Sequence, residues 1–120
     1  IKSSMDIYEY FHQELKGLKQ EHFYVLYLDN KKKIIEKKLL YVGTINGSVA
    51  HPREIFKYAY LVSASFLICI HNHPSGDPAP SREDKIFTKN LKEIGTLQNI
   101  PVLDHIIIGE DTYYSFFEEE

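Results

Sequence analysis

Apolar residues recur three and four apart at Ile7, Phe11, Leu15 and Leu18, the spacing of one helix face, and Ser3 or Ser4 precedes them as an N-cap. Gly17 weakens the end of that helix. The run Phe23-Tyr24-Val25-Leu26-Tyr27-Leu28 reads as a strand. It turns at Asp29-Asn30-Lys31 into a second strand around Ile34 to Val42, so the pair forms a hairpin. Residues 43–50 read as a loop. Pro52 then occupies a favoured first helical position and opens a helix through Arg53, Ile55, Phe56, Ala59, Tyr60 and Val62. Phe66-Leu67-Ile68-Cys69-Ile70 is too short for a typical helix and rich in strand formers, which predicts a buried strand. A helix follows from about Ser81 to Ile94, ended near Gly95, then a strand from Val102 to Ile108. Gly109-Glu110-Asp111 turns that strand into a last one, Thr112 to Phe117. Glu118-Glu119-Glu120 reads as a solvated tail. Strands mixed with three helices predict an α/β fold, a mixed sheet with helices packed against it.

The buried strand ends in chemistry. His71 and His73 are two apart, so on a strand both imidazoles face one way and reach one point, while Asn72 faces elsewhere and Pro74 stops the strand. The loop Ser75-Gly76-Asp77-Pro78-Ala79-Pro80 is dense in turn formers. Ser81-Arg82-Glu83-Asp84 then reads as a helix start, which returns a carboxylate toward the imidazoles. Two histidine nitrogens, one aspartate oxygen and a water make four ligands with one exchangeable, the composition of a catalytic rather than a closed structural zinc site. Ser81 and Asp84 taken alone are explained by a capping box, and that role does not exclude metal binding. Two histidines on an apolar strand end are harder to account for, because a core needs a partner for each ring.

The string His71-x-His73-Pro74, six residues, Ser81, two residues, Asp84 is similar to the H-x-H-P-x6-S-x2-D signature of JAMM (MPN-plus) metalloproteases. The chain resembles their bacterial RadC branch in particular, through Gly43-Thr44-Ile45-Asn46, His51-Pro52-Arg53-Glu54, His71 to Pro78, Asp104-His105 and Tyr113-Tyr114-Ser115-Phe116. That resemblance implies an α-β-α sandwich with a mixed central sheet, of the JAMM/MPN (cytidine-deaminase-like) type. It implies one zinc ion per chain on His71, His73 and Asp84. It also implies Glu21, at the start of the first strand, as the upstream catalytic glutamate, and Ser81 as the donor to the oxyanion. RadC-like proteins carry a helix-hairpin-helix region ahead of this domain, so residues 1–120 are expected to be one domain at the C-terminal end of a longer protein.

Composition narrows the setting. A chain of 120 residues is the size of one domain, 43% hydrophobic and 26% charged, with no apolar run near the length that spans a bilayer and no signal-peptide pattern. A soluble cytoplasmic protein is expected. The single Cys69 lies in the buried strand, so it forms no disulfide within the chain and reads as a core thiol. A net charge of −3 argues against a domain that grips nucleic acid mainly through phosphates. Lys31-Lys32-Lys33 with Lys37-Lys38 is the basic cluster, read as a solvated hairpin surface that protects a sheet edge.

Other residues have plainer readings. His51 and Arg53 beside the Pro52 helix could meet a carboxylate or phosphate, but a cap-region role accounts for them. His105 is either an oriented outer partner of a ligand or a hydrogen-bonded core side chain. His12 and His22 show no partner in sequence. The literal His71-Asn72-His73 is not an HNH nuclease motif, whose three residues are scattered over a hairpin and helix. The leading expectation is a zinc hydrolase cleaving a peptide or isopeptide bond of a protein or peptide substrate. The alternatives are a DNA-repair-associated module, with nucleic acid bound weakly or through the N-terminal region, and a non-catalytic MPN scaffold.

Overall fold

The computed structural model describes residues 3–43 and 51–120. The loop expected after Gly43, with Thr44, Ile45 and Asn46 of the RadC resemblance, lies outside them. The elements are α1 (Ser4–Leu15), β1 (Glu21–Leu28), β2 (Ile34–Gly43), α2 (Pro52–Leu61), β3 (Phe66–Asn72), α3 (Arg82–Gln98), β4 (Val102–Ile108) and β5 (Tyr113–Ser115). Five strands form one sheet in the order β2-β1-β3-β4-β5. β1 is antiparallel to both β2 and β3, β3 and β4 are parallel, and β4 and β5 are antiparallel. The sheet is therefore mixed, as expected, and α3 is the crossover that a parallel pair requires.

Side-chain alternation sends each strand's residues to two cores. Phe23, Val25, Tyr27, Leu67 and Cys69 meet α2 and α3 through Ile55, Phe56, Ala59 and Leu91. Leu26, Leu28, Ile68, Ile70, Ile106 and Ile108 meet α1 through Ile7, Phe11 and Leu15. The result is an α-β-α sandwich, with α1 on one face and α2 and α3 on the other. Among the described residues, no helix is long and apolar enough to cross a membrane.

The helix ends depart from expectation for identifiable reasons. Ser3 caps α1, accepting a hydrogen bond from the Asp6 N–H. Gly17, at φ +76°, falls after the helix, and Leu18 packs on the α1 core from outside it. α3 does not stop at Gly95 but runs on to Gln98, with Asn99 as a left-handed C-cap. Gly95 is needed instead for close approach, since a Cβ there would lie 2.8 Å from the Ile100 carbonyl oxygen. The last strand is shorter than expected, because the Phe117 N–H turns to the Asp104 carboxylate. The lysine cluster is also divided. Lys37 reaches α1, pairing with Glu14 at 2.7 Å and Tyr10 at 2.8 Å, whereas Lys38 lies over the Tyr58 ring beside α2. Both sit on β2, an edge strand as anticipated.

Candidate metal centre

The column that carries Phe23, Val25 and Tyr27 toward α3 begins, by the same alternation, with Glu21. The β3 column of Leu67 and Cys69 ends in His71. At that end of the sheet the loop after β3 delivers His73, and the first turn of α3 delivers Asp84. The Nε2 atoms of His71 and His73 lie 3.2 Å apart. Asp84 presents Oδ1 at 3.5 Å from His71 Nε2 and Oδ2 at 3.1 Å from His73 Nε2. Glu21 brings a carboxylate oxygen to the same place, so that Glu21, His71 and His73 offer ligand atoms within 4.8 Å of one another. Two histidine nitrogens thus face carboxylates from two different elements.

Proton placement decides what this cluster can hold. His73 Nδ1 lies 2.9 Å from the Asp77 carbonyl oxygen, which can only accept, so Nδ1 carries the hydrogen and Nε2 of the neutral ring is a bare lone pair. His71 Nδ1 lies 2.8 Å from His105 Nε2, and His105 Nδ1 lies 2.6 Å from Thr88 Oγ1. When this chain runs from His71 toward Thr88, each Nδ1 donates and His71 Nε2 is bare as well. Two lone pairs 3.2 Å apart beside carboxylate oxygens repel unless a cation or a proton lies among them. The donor set, two neutral imidazoles with a carboxylate, is that of a zinc site with a position open to water or substrate, so the residues fit the ion.

The electrostatics run the same way. Burial, then the neighbouring His105, holds His71 neutral well below its ordinary range, against the pull of Asp84. His105 is lowered to about 4, first by burial. Burial opposes charge on His73 too, but its hydrogen bonds to Asp84 and to the Asp77 carbonyl raise it above the ordinary value. Burial pulls Asp84 upward, yet the hydrogen bonds from His73 and from the Ser81 N–H hold it well below the usual carboxylate range. Tyr41 is pushed up to about 12, first by burial and then by the charges of Glu21 and Asp84, so its phenol stays neutral in their field.

The capping box is present in full. Ser81 Oγ accepts from the Asp84 N–H at 3.0 Å, and the Ser81 N–H donates to Asp84 Oδ2 at 2.9 Å. Asp84 therefore caps α3 with one oxygen while the other faces His71. The bond that Ser81 Oγ makes to the helix is an accepted one, which keeps its own hydrogen for another partner. Five positions that sequence reasoning grouped, Glu21, His71, His73, Ser81 and Asp84, do converge at one end of the sheet.

Two residues escaped that reasoning. Thr88 lies one helical turn beyond Asp84, and the inward face of α3 runs Asp84, Thr88, Leu91, Gly95; a polar residue at i+4 from a candidate ligand was the available signal. Asn72 does face away from the imidazoles, but it is buried, and its amide bonds the backbone on both sides of Glu21. His105 proves to be both alternatives at once, fully buried and in contact with a candidate ligand. His51 is the N-cap residue of α2 without a side-chain cap bond. His12 and His22 have backbone partners, the carbonyls of Glu110 and Gln20.

A cleft of about 700 Å³ opens beside His73, between the end of α1, the loop Pro74-Ser75-Gly76 and the Gly109–Asp111 turn. Its two loops are packed backbone to backbone. A Cβ on Gly109 would lie 2.6 Å from the Gly76 carbonyl oxygen, so only glycine permits the approach that fixes the loop after His73.

The chain matches the family described as the RadC-like JAB domain over residues 1–120. It is 49% identical over 119 residues to a UPF0758 protein of Bacillus cereus (strain AH187), covering 99% of this chain and 53% of that protein. UPF0758 proteins of Bacillus anthracis (strain A0248) and Bacillus thuringiensis subsp. konkukian (strain 97-27) match with the same identity and coverage. The chain spans about half the length of these relatives. With the match running from its first residue to its last, the chain belongs to the RadC-like JAB-domain family.

Proposed function

We propose that this domain is a zinc-dependent hydrolase of the JAMM type, acting on a peptide or isopeptide bond in a cytoplasmic protein or peptide. The observation that carries this reading is the convergence of two histidine Nε2 atoms, 3.2 Å apart, with each Nδ1 hydrogen-bonded and carboxylates on two sides. His71, His73 and Asp84 would hold the ion, one per chain. Zinc there would supply Lewis acidity and acidify a water near neutral pH.

The remaining work falls to the chain. Glu21 takes the proton from the attacking water and passes it to the leaving nitrogen, a task suited to a half-buried carboxylate beside the two imidazoles. Ser81, its hydroxyl hydrogen uncommitted by the cap, donates to the carbonyl oxygen as negative charge develops on it. Loss of such a donor costs about 3 kcal/mol of transition-state stabilisation. An extended segment lying in the cleft would pass beside His73.

Metal analysis of protein purified without added zinc, with hydrolysis assays on peptide, isopeptide and nucleic-acid substrates, tests the reading. The wild type is expected to hold about one zinc and cleave an amide bond. Glu21→Gln is expected to keep the zinc and the fold but lose turnover, because the amide has the same shape and cannot accept the proton. Wild-type rates in that variant would remove Glu21 from the mechanism. Zinc without hydrolysis would favour a scaffold, and cleavage of nucleic acid alone would overturn the peptidase assignment.

A further inference from the structure

Asn72 stands between the two histidines in sequence, but its side chain leaves the other face of β3, toward α1. It is 4% exposed, and both ends of its amide are used. Oδ1 accepts the His22 N–H at 2.7 Å, and Nδ2 donates to the Gln20 carbonyl at 3.2 Å. These two backbone groups flank Glu21. The backbone ladder between β1 and β3 ends at the Phe23↔His71 pair. Beyond it β3 keeps to β4, with the His73 N–H donating to the Ile108 carbonyl at 3.1 Å. On the β3 side, therefore, no backbone rung holds the start of β1, and the Asn72 amide replaces the missing donor and acceptor.

We propose that Asn72 is a positioning residue, which sets the Glu21 carboxylate against the His71–His73 pair by clamping the backbone on either side of it. The proposal rests on Glu21 acting beside a bound metal, as argued above. Its physical content is distance. Asn72 lies between His71, on β3, and His73, the residue that follows the strand, so the clamp references Glu21 to the ligand-bearing segment itself. The β2 ladder runs on to the Glu21↔Gly43 pair, so removing the amide leaves the first residues of β1 held from the β2 side alone, able to pivot about Phe23 together with that edge strand. A pivot there moves Glu21 while leaving His71, His73 and Asp84 in place.

The test uses zinc-loaded protein and acetohydroxamic acid, a probe that chelates a metal through two oxygens and gives its proton to an adjacent carboxylate. Calorimetry reads hydroxamate affinity, chelator competition reads zinc affinity, and amide hydrogen exchange reads the His22 N–H. Glu21→Gln is expected to weaken hydroxamate binding about tenfold, the size of one hydrogen bond to a charged group. Asn72→Ala should weaken it comparably, speed exchange at His22, and leave zinc affinity within about twofold of wild type, because no ligand is touched. The double variant should bind no more weakly than Glu21→Gln alone, since both act on one carboxylate. If Asn72→Ala folds poorly, Asn72→Asp retains the acceptor for His22 but sets a second acceptor oxygen against the Gln20 carbonyl, and should show a loss of the same kind. Wild-type hydroxamate affinity in the Asn72 variants, or losses that multiply in the double variant, would overturn the positioning role. Zinc-loaded Glu21→Gln binding the probe as tightly as wild type would instead overturn the base assignment beneath it, and a wild type that takes up no zinc would overturn both.

Discussion

Asp104 and His105 are neighbours on β4, both buried and both polar, and their side chains leave opposite faces of the sheet. On the α1 side, the Asp104 carboxylate accepts four hydrogen bonds: from the N–H groups of His105 (2.7 Å) and Phe117 (3.0 Å) and the hydroxyls of Ser4 (3.1 Å) and Ser115 (2.6 Å). Every lone-pair direction is met by a donor of the chain, and the network ties α1, β4 and the C-terminal turn together. On the α3 side, His105 passes its hydrogen bonds between Thr88 and His71, and the chain of bonds ends at lone pairs facing lone pairs. A buried polar group satisfied by the chain is structure. One whose valence is completed only by something from outside is a site.

That contrast can be broken by mutation, and the largest effect belongs to the open network. His71→Ala, His73→Ala or Asp84→Ala should each reduce zinc content from about one per chain to near none at micromolar protein, as metal analysis would show. Full occupancy in all three would sink the site as drawn. Asp104→Ala, in the closed network, should lower unfolding free energy by about 4 kcal/mol in denaturant titration, because four donors lose a buried charged partner. The folded fraction should still bind zinc with wild-type affinity.

The pH dependence of the metal-free protein separates the two networks next. His105 titrates at about 4 when folded and near 6.5 when unfolded, so between those values the unfolded chain binds the proton first. Stability therefore falls as pH drops from about 6.5 toward 4, by about 3 kcal/mol from this residue, and the buried His71 adds in the same direction. His73 has the opposite sign: its raised value means that its share is lost as pH rises above 6.5. Chemical denaturation across pH 4 to 8 should show the acid slope, and His105→Gln, which cannot charge, should flatten it. The smallest effect is expected from Thr88→Val, which removes only the last acceptor of the relay. Zinc affinity should fall about tenfold, and the metal-free protein should lose about 1 kcal/mol of stability, because the buried His105 Nδ1–H is left without its acceptor. An unchanged affinity would mean that the orientation of His71 does not depend on Thr88.

Much of this was legible in the chain because period and chemistry coincide. The histidines at i and i+2 were expected to share a direction and Ser81 to Asp84 to start a helix; the two imidazoles do meet, although the strand ends at Asn72 and His73 stands just past it, and Ser81 caps α3. Glu21 was reached only by resemblance, since nothing local marks a glutamate at a strand start as special. Thr88, Asn72 and the partnership of His105 with His71 depend on which strands are adjacent, and single-strand periodicity does not contain strand order. Gly95 misled for a related reason. A glycine that ends a helix and one that lets a helix touch the next segment look the same until the Ile100 carbonyl is placed against it.

The parallel pairing of β3 with β4 also governs when the site can exist. His71 and His105 are 34 positions apart and meet only after α3 has crossed over the sheet. Closing so long a loop is costly before any contact repays it, and pairings of this kind form late in folding. A zinc ion bound by the finished cluster would then be absent from the folding transition state. It should leave the refolding rate nearly unchanged and slow unfolding, so that the lifetime of the native state, more than the speed of reaching it, is what the metal sets.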